Sequence, residues 1–409
     1  MKLLLSAPPT NLIQSHIKIT GSKSESNRLL LIQALYPNIT IDNLSNSDDA
    51  EAMQKGLKID KGVVDIHHAG TAMRFLTGYF ASQEGKEVTL TGSQRMTERP
   101  VKVLVEALRG LGADIVYMGN EGYPPIKIKG KKLFKNKVSL PANISSQYIS
   151  SLLLIAPSLE NGLELELVEK ITSAPYIKMT LALLRQIGVK YSFEDNLIKV
   201  ASKKSVDAVR LVVESDWSSA SYFYSIVALS EVSTEIVLSA YKENSLQGDC
   251  ILKDIYEDLG VRTVFGENDI TLTKTANPKP QTLNLELSNA PDTAQTIAVT
   301  CFGLGVGCHL SGLHTLKIKE TDRLKALYTE LTKLGANISV TDRILTLKPS
   351  DRIKSNIAID TYNDHRMAMA FAPLAMKTSI KINDAEVVSK SYPDFWGDLK
   401  NLHFSIKEL

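Results

Sequence analysis

The stretch VKVLVEALRGLGADIVY, Val101–Tyr117, decides the fold: an amphipathic helix, a glycine, then a short strand-like run. The pattern returns as Ile177–Phe193, Cys250–Phe265 and Leu324–Val340, with its glycine at Gly112, Gly188, Gly260 and Gly335. In each, apolar residues recur at i, i+3, i+4 and i+7, as at Leu324, Leu327, Tyr328 and Leu331, the spacing of one buried helix face. The glycine supplies the left-handed residue that ends the helix. Weaker relatives lie near Asp48–Ile59 and Pro393–Ile406.

Between these units run second helical stretches that are apolar on nearly every side, among them NRLLLIQAL, AMRFLTGYF, TAQTIAVTCFGL and RMAMAFAPLAM. Such helices belong in an interior. One buried helix, one amphipathic helix and several strands, repeated about six times, predict an α/β chain of repeated units. The period is too long for a solenoid, so compact domains of three units each are expected. Polar joints near Thr20–Ser22 and Glu214–Asp216 place residues 1–20 with 217–409 in one discontinuous domain, and 21–216 in a domain inserted into it.

Composition narrows the function classes. A chain of 409 residues, 44% apolar, can bury a large core. A formal charge of +2 leaves no basic field for nucleic acid or an acidic membrane. The dense basic run GKKLFKNK, Gly130–Lys137, reads as a solvated hairpin tip. Three cysteines, Cys250, Cys301 and Cys308, follow no metal-ligand spacing and fit a reducing compartment. No signal-peptide core or membrane-length apolar run is present. A soluble cytoplasmic protein, monomeric and without metal or organic cofactor, is expected.

Eight basic residues then stand out by position. Lys23, Arg28, Arg74, Arg95, Lys319, Arg323, Arg366 and Lys390 fall in or beside helix starts, in GSKSESNR, AGTAMR, TGSQRMTERP, KIKETDRL, YNDHRMAMA and SKSYPDFW. Helix N-termini offer unpaired N–H groups and a positive dipole end, so added cations predict a site for small, highly charged anions. Ser24, Thr71 and Asn363 read as caps. Ser145, Ser146, Gln147, Ser173 and Tyr176 bring polar groups to two further helix starts. Asp292 and Glu320 are carboxylates among cations, where they weaken anion binding unless they move protons.

Taken together and in order, GSKSxSNR, AGTAMR, SQRMTERP, SSQ, KETDR, NDHRMAM and KSYPD resemble the 5-enolpyruvylshikimate-3-phosphate (EPSP) synthase family, from about Gly21 to Asp394. The resemblance implies two similar domains, each of three βαβαββ units in an inside-out α/β barrel, with helix N-termini facing an interdomain cleft. It implies transfer of the enolpyruvyl group of phosphoenolpyruvate to the 5-hydroxyl of shikimate 3-phosphate, through a tetrahedral intermediate. By motif, Ser145, Ser146 and Ser173 would hold the shikimate phosphate with Tyr176 nearby. Ser24 and Arg28 would hold its carboxylate, with Gln147 by the ring and Thr315 and Lys319 also on this substrate. Lys23, Gly70, Arg95, Gln147, Arg323, Arg366 and Lys390 would bind phosphoenolpyruvate. Arg74 would brace its loop. Asp292 would take the hydroxyl proton, and Glu320 or Lys23 would protonate the methylene carbon. Three positions depart from the family pattern: His68 for Asn, Phe75 for Pro and Thr315 for Asn. They are expected to alter substrate affinity or glyphosate sensitivity, not to remove activity. The alternatives are a UDP-N-acetylglucosamine enolpyruvyl transferase and a non-catalytic polyanion-binding protein.

Overall fold

The structure, a computed structural model, describes every residue except Asn11, Lys170 and Pro280. The chain divides into two compact units, one of residues 21–213 and one of residues 1–20 with 214–409. The second boundary therefore falls three residues before the expected one. Long-range bonds explain the shift: Ser215 N–H donates to the Ala240 carbonyl, Asp216 N–H to that of Thr20, and the Ser215 hydroxyl to Ile19. Val213, by contrast, donates to Asp42 of the inserted unit.

The inserted unit contains the repeat read from the sequence. Its helices are α1 Lys23–Leu35, α2 Asp48–Leu57, α3 Gly70–Ser82, the short α4 Gln94–Thr97, α5 Lys102–Leu111, α6 Ser146–Ile155 and α7 Ala174–Gln186. Strands Lys61–Asp65 and Glu87–Thr91 pair in parallel around α3. After α5, the hairpin of Asp114–Tyr117 and Ile126–Lys129 adds antiparallel to the second strand. Strands Lys137–Pro141, Leu163–Val168, Tyr191–Glu194 and Leu197–Val200 repeat this βαβαββ order around α6 and α7. The third repeat has the parallel pair Ile39–Asp42 and Val209–Val212 with α1 and α2, and a two-stranded sheet only.

Among the described residues, the discontinuous unit holds three four-stranded sheets, with helices α8 Trp217–Leu229, α9 Leu252–Asp258, α10 Ala294–Leu304, α11 Arg323–Leu334, α12 His365–Phe371 and α13 Phe395–Asn401. The inserted unit interrupts the first crossover, between strand Gln14–Ile17 and α8, whose next strand Glu235–Ser239 pairs parallel to Gln14–Ile17. The chain's first strand closes the last sheet: Leu3–Ser6 lies antiparallel between Ile380–Ile382 and Ser405–Glu408.

In both units the all-apolar helices form the interior. Every residue of α12 and every residue of α8 but Ser218 is buried, as are most of α1, α3, α6 and α10. α3 packs on α6, and α8 and α12 pack on α10. The amphipathic helices end as expected, with Gly112, Gly188, Gly260 and Gly335 all at positive φ, which spares them the steric cost a side chain would carry there. No helix among the described residues is long and apolar enough to cross a membrane.

Because Leu5 is fully buried between Ile380 and Ile406, Leu5→Ala is expected to destabilise the discontinuous unit by about 2–5 kcal/mol. Urea unfolding followed by Trp217 and Trp396 fluorescence checks this, since both tryptophans lie in that unit.

Candidate active site

Within the inserted unit, the first turns of α1, α3, α6 and α7 are joined by side chains. Arg28 is only 2% exposed. Its Nε donates to Thr180 Oγ1 (2.8 Å), Nη1 to the Ser24 carbonyl (2.7 Å), and Nη2 to Ser150 Oγ (3.0 Å) and the Tyr176 carbonyl (3.4 Å). The guanidinium also lies 5.3 Å from the Phe75 ring centre and 5.9 Å from that of Tyr176. Four of its five N–H groups are thus spent on neutral acceptors, and an aromatic face on α3 supports it. Burial lowers its pKa to about 10, with Tyr176 and Glu25 pulling the other way, so it is a full cation at neutral pH. Phe75 therefore serves as the seat of Arg28.

The other residues of this unit cluster at the same turns. Lys23 heads α1 and pairs with Asp49 at 3.4 Å. The cap of α1 is Ser22 rather than Ser24. Thr71 does not cap α3, whose first turn has no side-chain cap; its hydroxyl accepts from Gln147 Nε2 at 3.2 Å, tying α3 to α6. Ser145 caps α6 through Gln147 N–H. Ser173 heads α7 in the left-handed region, φ 54°, and its side chain makes no capping bond there.

Two arginines of one loop lie differently about the start of α3. Arg95 sits on α4 and is half-exposed, paired with Glu98 at 3.3 Å. The guanidinium lying against the α3 terminus is that of Arg99. A Cβ placed on Gly70 would come within 2.7 Å of Arg99 Nη1, so the tip of this side chain rests directly on the helix start. The sequence signal was present in SQRMTERP, where two arginines are four residues apart. Arg74 braces this loop, donating to the Gly70 and Pro100 carbonyls. His68 Nδ1 bonds Ser93 at 2.8 Å, tying the position that departs from the family pattern to the same loop.

The discontinuous unit assembles a denser cluster at the starts of α8, α10, α11 and α12. Arg323, 1% exposed, donates to Asp292 (2.7 Å), Glu320 (2.8 Å) and Asp364 (2.7 Å). Asp292 also faces Lys319 at 3.4 Å and Arg366 at 3.5 Å. Burial works against its charge, yet Lys319, Arg366 and Arg323 hold its carboxyl far below the usual carboxylate range. Burial likewise opposes the charges of Arg323 and Arg366, and the facing carboxylates, Asp364 first for Arg323 and Asp292 for Arg366, keep both firmly protonated. Lys390 donates to the carbonyl and side-chain oxygens of Asn363 at 2.7 and 2.9 Å, while Asp364 caps α12 in place of Asn363. Thr315 Oγ1 is buried with no hydrogen-bond partner among the described residues.

Sequence reasoning missed one further member. Asp249, 4% exposed, accepts from the Ser218 hydroxyl, which in turn accepts from Arg366 Nη2 at 3.1 Å. In QGDC it reads as an ordinary helix-start acid. Only the fold brings it to α12.

The family model for EPSP synthase (3-phosphoshikimate 1-carboxyvinyltransferase) matches residues 57–399. A 3-phosphoshikimate 1-carboxyvinyltransferase of Bacteroides fragilis (strain YCH46) is 44% identical over 411 residues, covering 100% of this chain and 99% of that one. The chain belongs to the EPSP synthase family. A second relative of that name, from Haemophilus influenzae, is 34% identical over 96% of this chain and 98% of its own. Among solved structures, an EPSP synthase from Acinetobacter baumannii aligns over 100% of both chains with TM-score 0.79 and 20% identity. The enolpyruvyl transferase NikO from Streptomyces tendae aligns over 99% and 98% with TM-score 0.74 and 13% identity. These two extend the likeness of fold across the EPSP synthase family and a related transferase.

Since Arg28 holds α1, α6 and α7 by a planar fork that lysine cannot reproduce, Arg28→Lys is expected to cost about 2–4 kcal/mol of folding stability. Hydrogen exchange should show the loss spread over α1, α6 and α7. Protection unchanged from wild type in those helices would remove Arg28 as their common strut.

Proposed function

We propose that the chain transfers the 1-carboxyvinyl group of phosphoenolpyruvate to the 5-hydroxyl of shikimate 3-phosphate, releasing phosphate, in the cytoplasm and as a monomer. The observation that carries this reading is Asp292, a base candidate held among Lys319, Arg323 and Arg366. A mere anion store gains nothing from a carboxylate there.

The acceptor's phosphate falls to Ser145, Ser146 and Ser173 at the α6 and α7 starts, with Tyr176 nearby and Gln147 beside the ring. The structure leads us to give Arg28 chiefly the task of setting Ser24 and Tyr176, leaving one Nη1 hydrogen for the acceptor's carboxylate. Thr315 and Lys319 complete the acceptor set. The donor's phosphate and carboxylate fall to Lys23, the amides at Gly70, Gln147, Arg323, Arg366 and Lys390, with Arg99 in the place first given to Arg95.

In the addition step, the acceptor's 5-oxygen bonds C2 of phosphoenolpyruvate, its proton passes to Asp292, and C3 gains a proton from Glu320 or Lys23. In elimination the group that protonated C3 takes that proton back, the C2–C3 double bond re-forms, and the C2–phosphate bond breaks with the proton from Asp292 passing to the departing phosphate. The cations offset repulsion between two anions, worth roughly 4 kcal/mol per pair of unit charges about 4 Å apart at an effective dielectric near 20. They also stabilise charge moving onto the departing phosphate. Asp292 is a poor base while three cations hold it. Donor anions arriving on Arg323 and Arg366 compete for those cations and restore its basicity.

The test is phosphate release from phosphoenolpyruvate in the presence of shikimate 3-phosphate. Wild type should turn over. Asp292→Ala should lower kcat by about 10²–10⁴-fold, the usual worth of a general base, without raising the donor KM. No turnover by wild type with this pair refutes the reading. In the same assay, Arg99→Ala should raise the donor KM by about tenfold or more, the loss expected for one charge-assisted contact, and Arg95→Ala should leave it within about twofold, as for an exposed ion pair. The opposite ranking restores Arg95.

A further inference from the structure

Asp249 is a buried carboxylate of the discontinuous unit's cluster that the mechanism above does not use. It sits in a 3-10 turn, Gly248–Ile251, just ahead of α9. Burial would ordinarily demand that both its oxygens be bonded. Oδ2 accepts the Ser218 hydroxyl, but Oδ1 is buried with no partner among the described residues. The turn has little freedom to move away. Glu214 accepts from Ser245 Oγ (2.6 Å), Gln247 Nε2 (3.1 Å), Trp217 Nε1 (2.9 Å) and Lys242 N–H (3.0 Å). Gln247 Oε1 in turn accepts from Trp217 N–H at 3.0 Å. The loop leading to Asp249 is therefore bolted to the start of α8.

From that fixed point a chain runs to the donor side. Asp249 orients the Ser218 hydroxyl, whose lone pair then faces Arg366 Nη2 at 3.1 Å. Arg366 Nη1 is held by the Asp292 carbonyl at 3.3 Å. The guanidinium is thereby set from both ends. Resting on the function proposed above, we infer that Asp249 is a positioning residue for the donor anion: through Ser218 it aims the Arg366 guanidinium, and its negative charge tempers how strongly that guanidinium attracts phosphate or carboxylate.

The groups facing Asp249 are Asp216 and Ser218 from α8, Asp292 from the head of α10, Arg366 from α12 and the adjacent thiol of Cys250. Burial above all, then Asp292, raises its pKa to about 6, while Arg366 and Ser218 pull the other way. The sign follows. Below that value Asp249 is neutral and the donor meets a fuller positive field. As pH rises through it, Asp249 becomes anionic and donor binding weakens. Donor binding should in turn draw a proton onto Asp249.

The test compares wild type, Asp249→Asn and Ser218→Ala in the phosphate-release assay from about pH 5 to 8, spanning the carboxylate's shifted range. Asparagine can still accept from Ser218 but carries no charge. Titrations of the substrates themselves cancel in the wild-type-to-variant ratio. That ratio of donor kcat/KM should fall by roughly tenfold through pH 6, as expected for one charge removed near the anion, with the acceptor KM within about twofold. Ser218→Ala, which breaks the chain, should raise the donor KM about fivefold or more and leave the acceptor KM alone. A flat ratio for Asp249→Asn, an unmoved donor KM for Ser218→Ala, or equal changes in both KM values would each overturn the inference while wild-type turnover leaves the proposed reaction standing. Absence of wild-type turnover would overturn both.

Discussion

Arg323 is a buried cation bonded to three carboxylates at once. It is almost fully buried, and its guanidinium meets carboxylates from three separate segments: Asp292 before α10, Glu320 before α11 and Asp364 at the cap of α12. Removing a charge from water costs several kcal/mol, recovered only when partners are close and well aligned. That requirement fixes where the three helix starts must lie. Once they are fixed, Arg366, Lys319 and Asp249 find their neighbours with little further choice.

The two units solve the same problem with opposite chemistry. Arg28, a buried guanidinium of the inserted unit, is bonded to hydroxyls, carbonyls and ring faces. It keeps its positive field for an incoming anion. Arg323 spends its field on acids. Neutral partners suit a unit that holds an anionic substrate without changing it. Acidic partners suit one that must move a proton, because only there is a carboxylate of use. Phe75 fits this division. Proline at that position would offer Arg28 no aromatic face, so the departure from the family pattern bears on how the inserted unit seats Arg28.

The repeat was readable because its grammar is local. An amphipathic face ending at Gly112, Gly188, Gly260 or Gly335 is written in adjacent residues, and each of these glycines takes the positive φ that the reading requires. The missed features are non-local. Whether Arg95 or Arg99 reaches Gly70 depends on how the four-residue helix α4 turns the loop, which exposes the first and folds the second inward. The caps shifted by one or two residues, from Ser24 to Ser22 and from Asn363 to Asp364, because capping depends on backbone angles that neighbouring polar residues compete to supply. Asp249 was invisible because its partner Arg366 is more than a hundred residues away in the chain.

A carboxylate clamped by cations looks unfit to be a base, and in isolation it is. The same clamp gives the reaction its order. If Asp292 were as basic in the empty protein as an ordinary carboxylate, it could activate the acceptor's hydroxyl, or water, with no donor to attack. Held by Lys319, Arg323 and Arg366, it gains basicity only as other anions share those cations. On the proposed assignment the donor brings those anions, so that the group that loosens the clamp is the group to be attacked, and an electrostatic competition among side chains already in contact couples donor binding to base activation without a separate switch.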